Sequence, residues 1–290
     1  MTDPRDAAAL ARDAARVAAL ALAEDGERDV TSLVSVGPEQ QGSAVIEARE
    51  PLVLSGRTYV DAVVAACGLP PVEWQVEDGR RCDAGSDIGR ITGPLAAILR
   101  AERPLLNLLQ RACGIATMTR ACAERVAGTR AVVLHTRKTT PGLRLFEVRA
   151  VLDGGGGVHR LDLASTVMVK DNHWQALRAA GRTLATALDE ARGLGVADLQ
   201  VEVETLAQVE EAARAGATRL LVDNQSPATV AAWAERAWQL RPEIRIEATG
   251  GITLENLRAY ADAGADFIST GMLTHSVRSV DIGLEVTEDR

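Results

Sequence analysis

VVLHTRKTTPGLRLFEVRAVLDGGGGVHRLDLASTVMVKDNH, residues 132–173, is the stretch whose reading decides the fold. Two short apolar runs, at 132–134 and 167–169, each lead straight into cations: His135, Arg137 and Lys138 after the first, Lys170 and His173 after the second. Between them, GGGG at 154–157 runs into Val158, His159 and Arg160. The chain as a whole is acidic, with a formal net charge of −8, so a knot of positive charge at the ends of apolar runs is a local device. It points to an anion-binding pocket where buried strands terminate.

Downstream the same unit repeats. AVVLH, TVMVK, LQVEV, RLLVD, IRIEA and DFIST are short runs of β-formers separated by helical stretches, at the spacing of βα units. AGATRLLVDN and AGADFISTG echo each other, each setting a glycine helix stop before a strand. Such strands, near-continuously apolar and covered by helices, imply a parallel sheet. Their C-terminal ends carry Arg137–Lys138, Lys170, Glu202, Asp223, Glu247 and Thr270–Gly271. A parallel barrel brings every such end to one mouth, whereas an open sheet strings them along a crevice, so the pattern favours an α/β barrel, complete or incomplete.

Upstream, residues 6–25 have apolar positions at helical spacing and read as an amphipathic helix stopping at Gly26, followed by the polar segment GERDVTS. From 43 to 82, AVIEARE and LVLSG read as strands, TYVDAVVAACG as a helix, and VEWQVEDGRR as a strand entering an Asp-Gly turn. SDIGRITGPLAAILRAE adds two more short strands punctuated by Gly93 and Pro94. ERPLLNLLQRACGIATMTRACAERV, from 102, is a linking helix or pair of helices with Pro104 in its first turn. The expected organisation is a smaller N-terminal α+β domain over 1–113, a barrel over 114–274, and a tail at 275–290 returning to the first domain.

Composition narrows the function. At 290 residues and 47% hydrophobic, the chain has enough material for large cores. The apolar run at 17–23 is too short to span a bilayer, and no secretory signal is visible. Cys67, Cys82, Cys113 and Cys122 form no C-x-x-C pair and show no metal-ligand spacing, which fits reduced thiols in the cytoplasm. Negative charge and few aromatics argue against nucleic acid as a partner; small anions fit better.

Any one cation at a strand end reads as a solvated cap. Arg137, Lys138, Arg160 and Lys170 together read as a site for carboxylates and phosphates. Glu202 and Asp223, on neighbouring strands, are placed either to share Mg²⁺ through oxygen ligands or to pair with those cations. ATGGI at 248–252 and STG at 269–271 place small residues and backbone N–H groups at adjacent strand ends, a phosphate-binding arrangement in barrels.

TRKTTPGLR, GGGGVHR, VKDNH, VEVE, LLVDN, EATGGI and TGMLTHS, in that order, resemble the quinolinate phosphoribosyltransferase family. The resemblance extends upstream to ALAEDGERDVTS and ERPLLNLLQRACGIAT, nearly the whole chain. It implies a two-domain enzyme with an incomplete, seven-stranded α/β barrel, a homodimer or higher oligomer with sites at the subunit interface. The reaction implied converts quinolinate and phosphoribosyl pyrophosphate to nicotinate mononucleotide, pyrophosphate and CO₂ in NAD biosynthesis, with Mg²⁺ required. By the same resemblance, Arg103 reaches quinolinate in the neighbouring subunit's site, and Arg137, Lys138, His159, Arg160 and Lys170 hold the ring carboxylates and part of the donor. Glu202 and Asp223 lie near the ribose and Mg²⁺, while Thr249, Gly250, Gly251 and Gly271 cradle the 5′-phosphate. Lys138, Glu202 and Asp223 carry the chemistry in this reading.

Several positions depart from the family pattern. His135 stands where an aspartate is usual, Val148–Arg149 where Lys-Tyr is, Val158 where an asparagine is and Gln200 where a glutamate is common. None removes a residue of the cationic pocket, but they touch its surroundings, so the main rival is a paralogous phosphoribosyltransferase for a different pyridine or aromatic carboxylate. A non-catalytic sensor would be expected to lose the acidic pair or Lys138. An unrelated barrel isomerase or aldolase matches by fold class alone.

Overall fold

The computed structural model describes residues 3–287; residues 1–2 of the expected first domain and 288–290 of the expected tail lie outside the described residues. In chain order the elements are α1 (Ala7–Glu24), α2 (Val30–Ser35), β1 (Gln41–Ala48), β2 (Leu52–Val53), α3 (Arg57–Ala66), β3 (Glu73–Trp74), β4 (Arg81–Cys82), β5 (Ser86–Pro94) and α4 (Leu95–Arg125). They continue with β6 (Val132–Leu134), α5 (Arg144–Asp153), β7 (Val167–Val169), α6 (Asp171–Ala179), α7 (Leu184–Gly193), β8 (Leu199–Val203) and α8 (Leu206–Arg214). The last are β9 (Arg219–Asp223), α9 (Pro227–Leu240), β10 (Arg245–Thr249), α10 (Leu257–Asp262), β11 (Phe267–Ser269) and β12 (Ile282–Thr287). Among the described residues no helix is long and apolar enough to cross a membrane.

The chain falls into two compact units. One comprises the chain up to Arg120, Thr139–Gly155 and the segment from Leu273 onward; the other comprises Ala121–Lys138 and Gly156–Met272. In the first unit an antiparallel sheet runs in the order β12-β1-β5-β3, and β2 pairs with β4. Its helix α1 starts where the Asp6 carboxylate accepts the Ala8 N–H and ends before Gly26, at φ 76°. The Tyr59 ring of α3 meets the Phe146 ring of α5 edge-on, centroids 4.7 Å apart.

Three local expectations change here. SDIGRITGP is one strand rather than two, because residues Ser86 to Pro94 pair with β1 along its whole length, around a bulge at Ile46/Glu47. Pro94 sits at the strand end, where its missing N–H costs no ladder bond. Helix α4 begins at Leu95, so Pro104 lies inside a 31-residue helix and not in its first turn; the buried row Ile98, Ala101, Leu105, Leu109 and Ala112 carries the helix through it. Within the polar segment after Gly26, Asp29 accepts the N–H groups of Thr31 and Ser32 and starts the short helix α2.

In the second unit six parallel strands run in the order β6-β11-β10-β9-β8-β7, with helices between them. This is the α/β barrel architecture, with six strands where seven are expected. The seventh place is taken by a single parallel bridge from Leu134 to Gly157, whose N–H donates to Val133 O at 2.8 Å. A Cβ on Gly157 would lie 2.7 Å from Leu134 Cδ2, so glycine is what lets the chain lie against β6.

Register explains the chemistry of the two faces. Val201, Leu220, Ile246 and Ile268 share the apolar face. Gln200 pairs with Arg219, Glu202 with Leu221 and Glu247 with Phe267, so the other face carries charge. The strands thus alternate where continuous apolarity is expected, and both faces are buried.

Candidate active site

The positive half of the site grows from β6 and from the bridged segment after the glycines. His135 is fully buried; its Nδ1–H donates to Thr136 O at 3.0 Å and its Nε2 accepts the His159 N–H at 3.1 Å. Arg137 and Arg160 are half-buried and close enough for their charges to interact. Burial and the Arg137 guanidinium hold the Arg160 pKa below its ordinary value, and Glu202 partly offsets them. Among the described residues, no carboxylate forms an ion pair with either arginine, and the buried Arg137 Nε has no hydrogen-bond acceptor. Lys170, directly after β7, forms an ion pair with Glu202 of β8, and Trp174 Nε1–H donates to Glu202 O at 2.9 Å. Two guanidiniums held together with no carboxylate paired to either are an arrangement that an anionic ligand completes.

The acidic and glycine half lies at the ends of β9, β10 and β11. Asp223 pairs in register with Thr249, and it shares a sheet face with Glu202 one two-residue step further along. Asn224 adopts φ 53° and donates from Nδ2 to Asp223 Oδ2 at 2.7 Å; its N–H donates to Thr249 O. Gly250, at φ 79°, passes so close that an added Cβ would sit 2.7 Å from Asp223 Oδ1 and against the Asn224 side-chain oxygen. Gly251 follows at φ 60°. Thr270 Oγ1 donates to Ile252 O at 3.2 Å, tying the ATGGI segment to STG, where Gly271 opens a 3-10 turn. The two glycine-bearing ends therefore lie side by side, on strands β10 and β11 that pair.

The remaining residues fall as follows. Lys138 is exposed, with its N–H donating to Thr136 Oγ1 at 3.1 Å. Arg103 projects from α4 with its side chain 59% exposed, 3.9 Å from the neighbouring Glu102 carboxylate. His159 points away from solvent: its Nε2 lies 3.1 Å from Glu247 Oε1, and Nδ1 accepts the Arg160 N–H at 2.8 Å. Glu247, expected at the mouth as a strand end, is the third residue of β10 and fully buried, bound also by Arg219 Nη1 at 2.9 Å. Burial pushes its carboxyl pKa up, but His159, Arg219 and the Ser269 hydroxyl prevail and hold it at about 2.

Sequence reading missed Arg219, Asn224 and the pairing role of Glu247. Asn224 alone had a local signal, an asparagine directly after a strand, where its side chain tolerates positive φ. For a cation, the donor set is Glu202 and Asp223, two hard oxygen ligands; among the described residues no group of three or more His, Cys, Asp or Glu side chains is arranged to hold a metal. Such a pair fits Mg²⁺ shared with substrate oxygens rather than a cage made by protein alone.

Comparison with known proteins gives one consistent set of relatives. The family description of the quinolinate phosphoribosyl transferase C-terminal domain matches residues 115–285, and that of the N-terminal domain matches residues 29–113. The chain is 39% identical over 274 residues to a probable nicotinate-nucleotide pyrophosphorylase [carboxylating] of Bacillus subtilis, covering 92% of this chain and 90% of that protein. It is 37% identical to nicotinate-nucleotide pyrophosphorylase [carboxylating] of Mycobacterium leprae, over 89% of this chain and 91% of that one. Among solved structures, the nicotinate-nucleotide pyrophosphorylase of Francisella tularensis superposes with a TM-score of 0.87 at 29% identity, covering 96% of this chain and 97% of that one. NadC of Streptococcus pyogenes gives 0.85 at 34%, covering 95% and 98%.

Proposed function

The chain belongs to the quinolinate phosphoribosyltransferase family, and from that membership we propose that it converts quinolinate and phosphoribosyl pyrophosphate to nicotinate mononucleotide, pyrophosphate and CO₂, a step of NAD biosynthesis. The observation that carries this reading is the pair Arg137 and Arg160, half-buried, mutually repelling and, among the described residues, in no ion pair with a carboxylate, the Glu202 charge offsetting them only in part. A planar aromatic dicarboxylate supplies the two anions such a pair lacks.

The mechanism follows from the charges. Arg137, Arg160 and Lys170 bind the acceptor's carboxylates and the pyrophosphate side of the donor, and the backbone at Thr249, Gly250, Gly251 and Gly271 holds the 5′-phosphate. Departure of pyrophosphate leaves positive charge on the ribose, which Glu202 and Asp223 stabilise. The quinolinate nitrogen donates its pair to C1′. That quaternised nitrogen then stabilises the electron pair left on the adjacent ring carbon when its bond to the carboxylate breaks, and the carbon takes a proton as CO₂ leaves. Lys138 orients that carboxylate. His159 acts from beneath, through Arg160. Glu202 and Asp223 would be the residues to hold Mg²⁺, whose chemistry there would be to offset negative charge on the pyrophosphate. Arg103 serves the site of a second copy in a homodimer or larger assembly, consistent with its exposed side chain. The four free cysteines suit a reducing cytoplasm.

The site is tested by equilibrium binding and turnover on two variants. Arg160→Ala weakens quinolinate binding by on the order of a hundredfold, the value of about 3 kcal/mol for a charge-assisted bidentate contact. Lys138→Ala keeps binding and loses decarboxylation; unchanged turnover in that variant contradicts its assignment.

A further inference from the structure

We propose that Glu247 is the positioning residue of the anion pocket: buried beneath it, this carboxylate fixes the ring of His159, and through His159 it sets where Arg160 stands. The proposal rests on the function above and adds a group that never touches substrate.

The geometry is a chain of contacts confined to the barrel unit. The His159 Nδ1 accepts the Arg160 N–H at 2.8 Å, so the ring proton belongs on Nε2 and is donated to Glu247 at 3.1 Å. Arg219 Nη1 donates to the other Glu247 oxygen at 2.9 Å, while its guanidinium lies 4.1 Å from the centre of the Phe267 ring. On the opposite side the His159 N–H donates to His135 Nε2, and Gly157 N–H to Val133 O. Segment 157–160 is thereby held at three points, by β6, by His135 and by Glu247.

Arg160 needs such an anchor. It faces Arg137 with its charge disfavoured by burial and by that neighbour, so a loose backbone would let the two guanidiniums separate and the pocket relax. A fully buried carboxylate is costly unless paired, and a residue kept at that cost fits the role of specifying one arrangement. Glu247 is at the centre of its strand, bound from β9, from β11 and from the segment beyond β6, so it joins three otherwise separate elements. None of its partners is within three residues of it in sequence, so local turn geometry does not explain it.

Two measurements on Glu247→Gln test this. Hydrogen exchange followed by mass spectrometry is expected to show at least tenfold faster exchange in the peptide containing 157–160, with β8 and β9 keeping wild-type protection. Steady-state kinetics are expected to show a quinolinate KM raised tenfold or more against a kcat lowered threefold or less. In an Arg160→Ala background the same substitution should leave KM within twofold of Arg160→Ala alone, because Glu247 acts through that residue. Multiplicative KM effects, or unaltered exchange at 157–160, overturn the proposal. If Glu247→Gln folds poorly, Glu247→Asp keeps the charge beside Arg219 and withdraws it from His159, and the same outcomes apply. If the wild-type protein turns over no quinolinate, the functional reading fails, while the exchange measurement still decides whether Glu247 holds the segment.

Discussion

Replacing Gly250 by alanine isolates the contribution of the β9–β10 corner. Gly250 lies at φ 79°, where a non-glycine residue costs about 1 kcal/mol or slightly more. The added Cβ would also fall 2.7 Å from Asp223 Oδ1 and onto the Asn224 side-chain oxygen, so that pair must move. Moving it breaks the Asn224–Asp223 hydrogen bond of 2.7 Å, a bond to a charged acceptor worth about 2 kcal/mol. The sum is about 3 kcal/mol, a fall in Tm of roughly 6–10 °C for a domain of this size. Gly68 is the control: it has φ 74° but open space where its Cβ would be, so Gly68→Ala carries only the backbone cost, about 1 kcal/mol. Calorimetric Tm and kcat/KM for phosphoribosyl transfer are measured on both. Gly250→Ala is expected to lose on the order of a hundredfold in kcat/KM, corresponding to about 2.7 kcal/mol, because Asp223 is displaced. Gly68→Ala is expected to keep it. Equal Tm shifts with full activity in both variants refute the reasoning.

Other consequences concern pH and buried charge. Burial and the charge of Asp153 raise the Asp78 carboxyl to about 6, so the ionised form is disfavoured in the fold and wild type loses stability as pH rises from about 4 through about 6. Asp78→Asn therefore has the higher Tm at pH 8, and the difference narrows as pH falls through about 6 and closes only below about 4. For Glu247 the sign is opposite: its pKa is depressed to about 2, so its contribution is complete above the ordinary carboxylate range and disappears as pH falls from about 4.5 to about 2. The Tm gap between wild type and Glu247→Gln should shrink over that interval. Arg111 binds the fully buried Glu147 at 2.8 Å, and Thr140 also donates to that carboxylate. Arg111→Met strands the charge with only the threonine donors, and denaturant unfolding should show a loss of about 3 kcal/mol.

Much of the barrel is legible because its signals are local. LQVEV and RLLVD are strands over the residues that the pattern marks, IRIEA is displaced by one residue to Arg245–Thr249, and Gly216 and Gly264, at φ 82° and 92°, terminate helices just before β9 and β11. The cations after β6 and β7 stand where the apolar runs stop. What escaped is non-local or is decided by pairing. Whether residues 86–94 make one strand or two depends on β1, which accepts the whole run, and Pro104 is overruled by the packing of apolar residues on both sides of it. Glu247 looked like a strand terminus because the turn after it is rich in glycine, yet its partners His159 and Arg219 are 88 and 28 residues away. Two-residue alternation in LQVEV already separated Gln200 and Glu202 from the apolar face, a signal hidden by the high overall apolarity of the strands.

The most direct test supplies the purified protein with phosphoribosyl pyrophosphate, Mg²⁺ and quinolinate labelled in the carboxylate next to the ring nitrogen, and follows nicotinate mononucleotide and labelled CO₂ together. The account predicts equal amounts of both, with product formation at low quinolinate reduced on the order of a hundredfold in Arg160→Ala. Consumption of the donor without nicotinate mononucleotide, or a nucleotide that retains the labelled carboxylate, contradicts it.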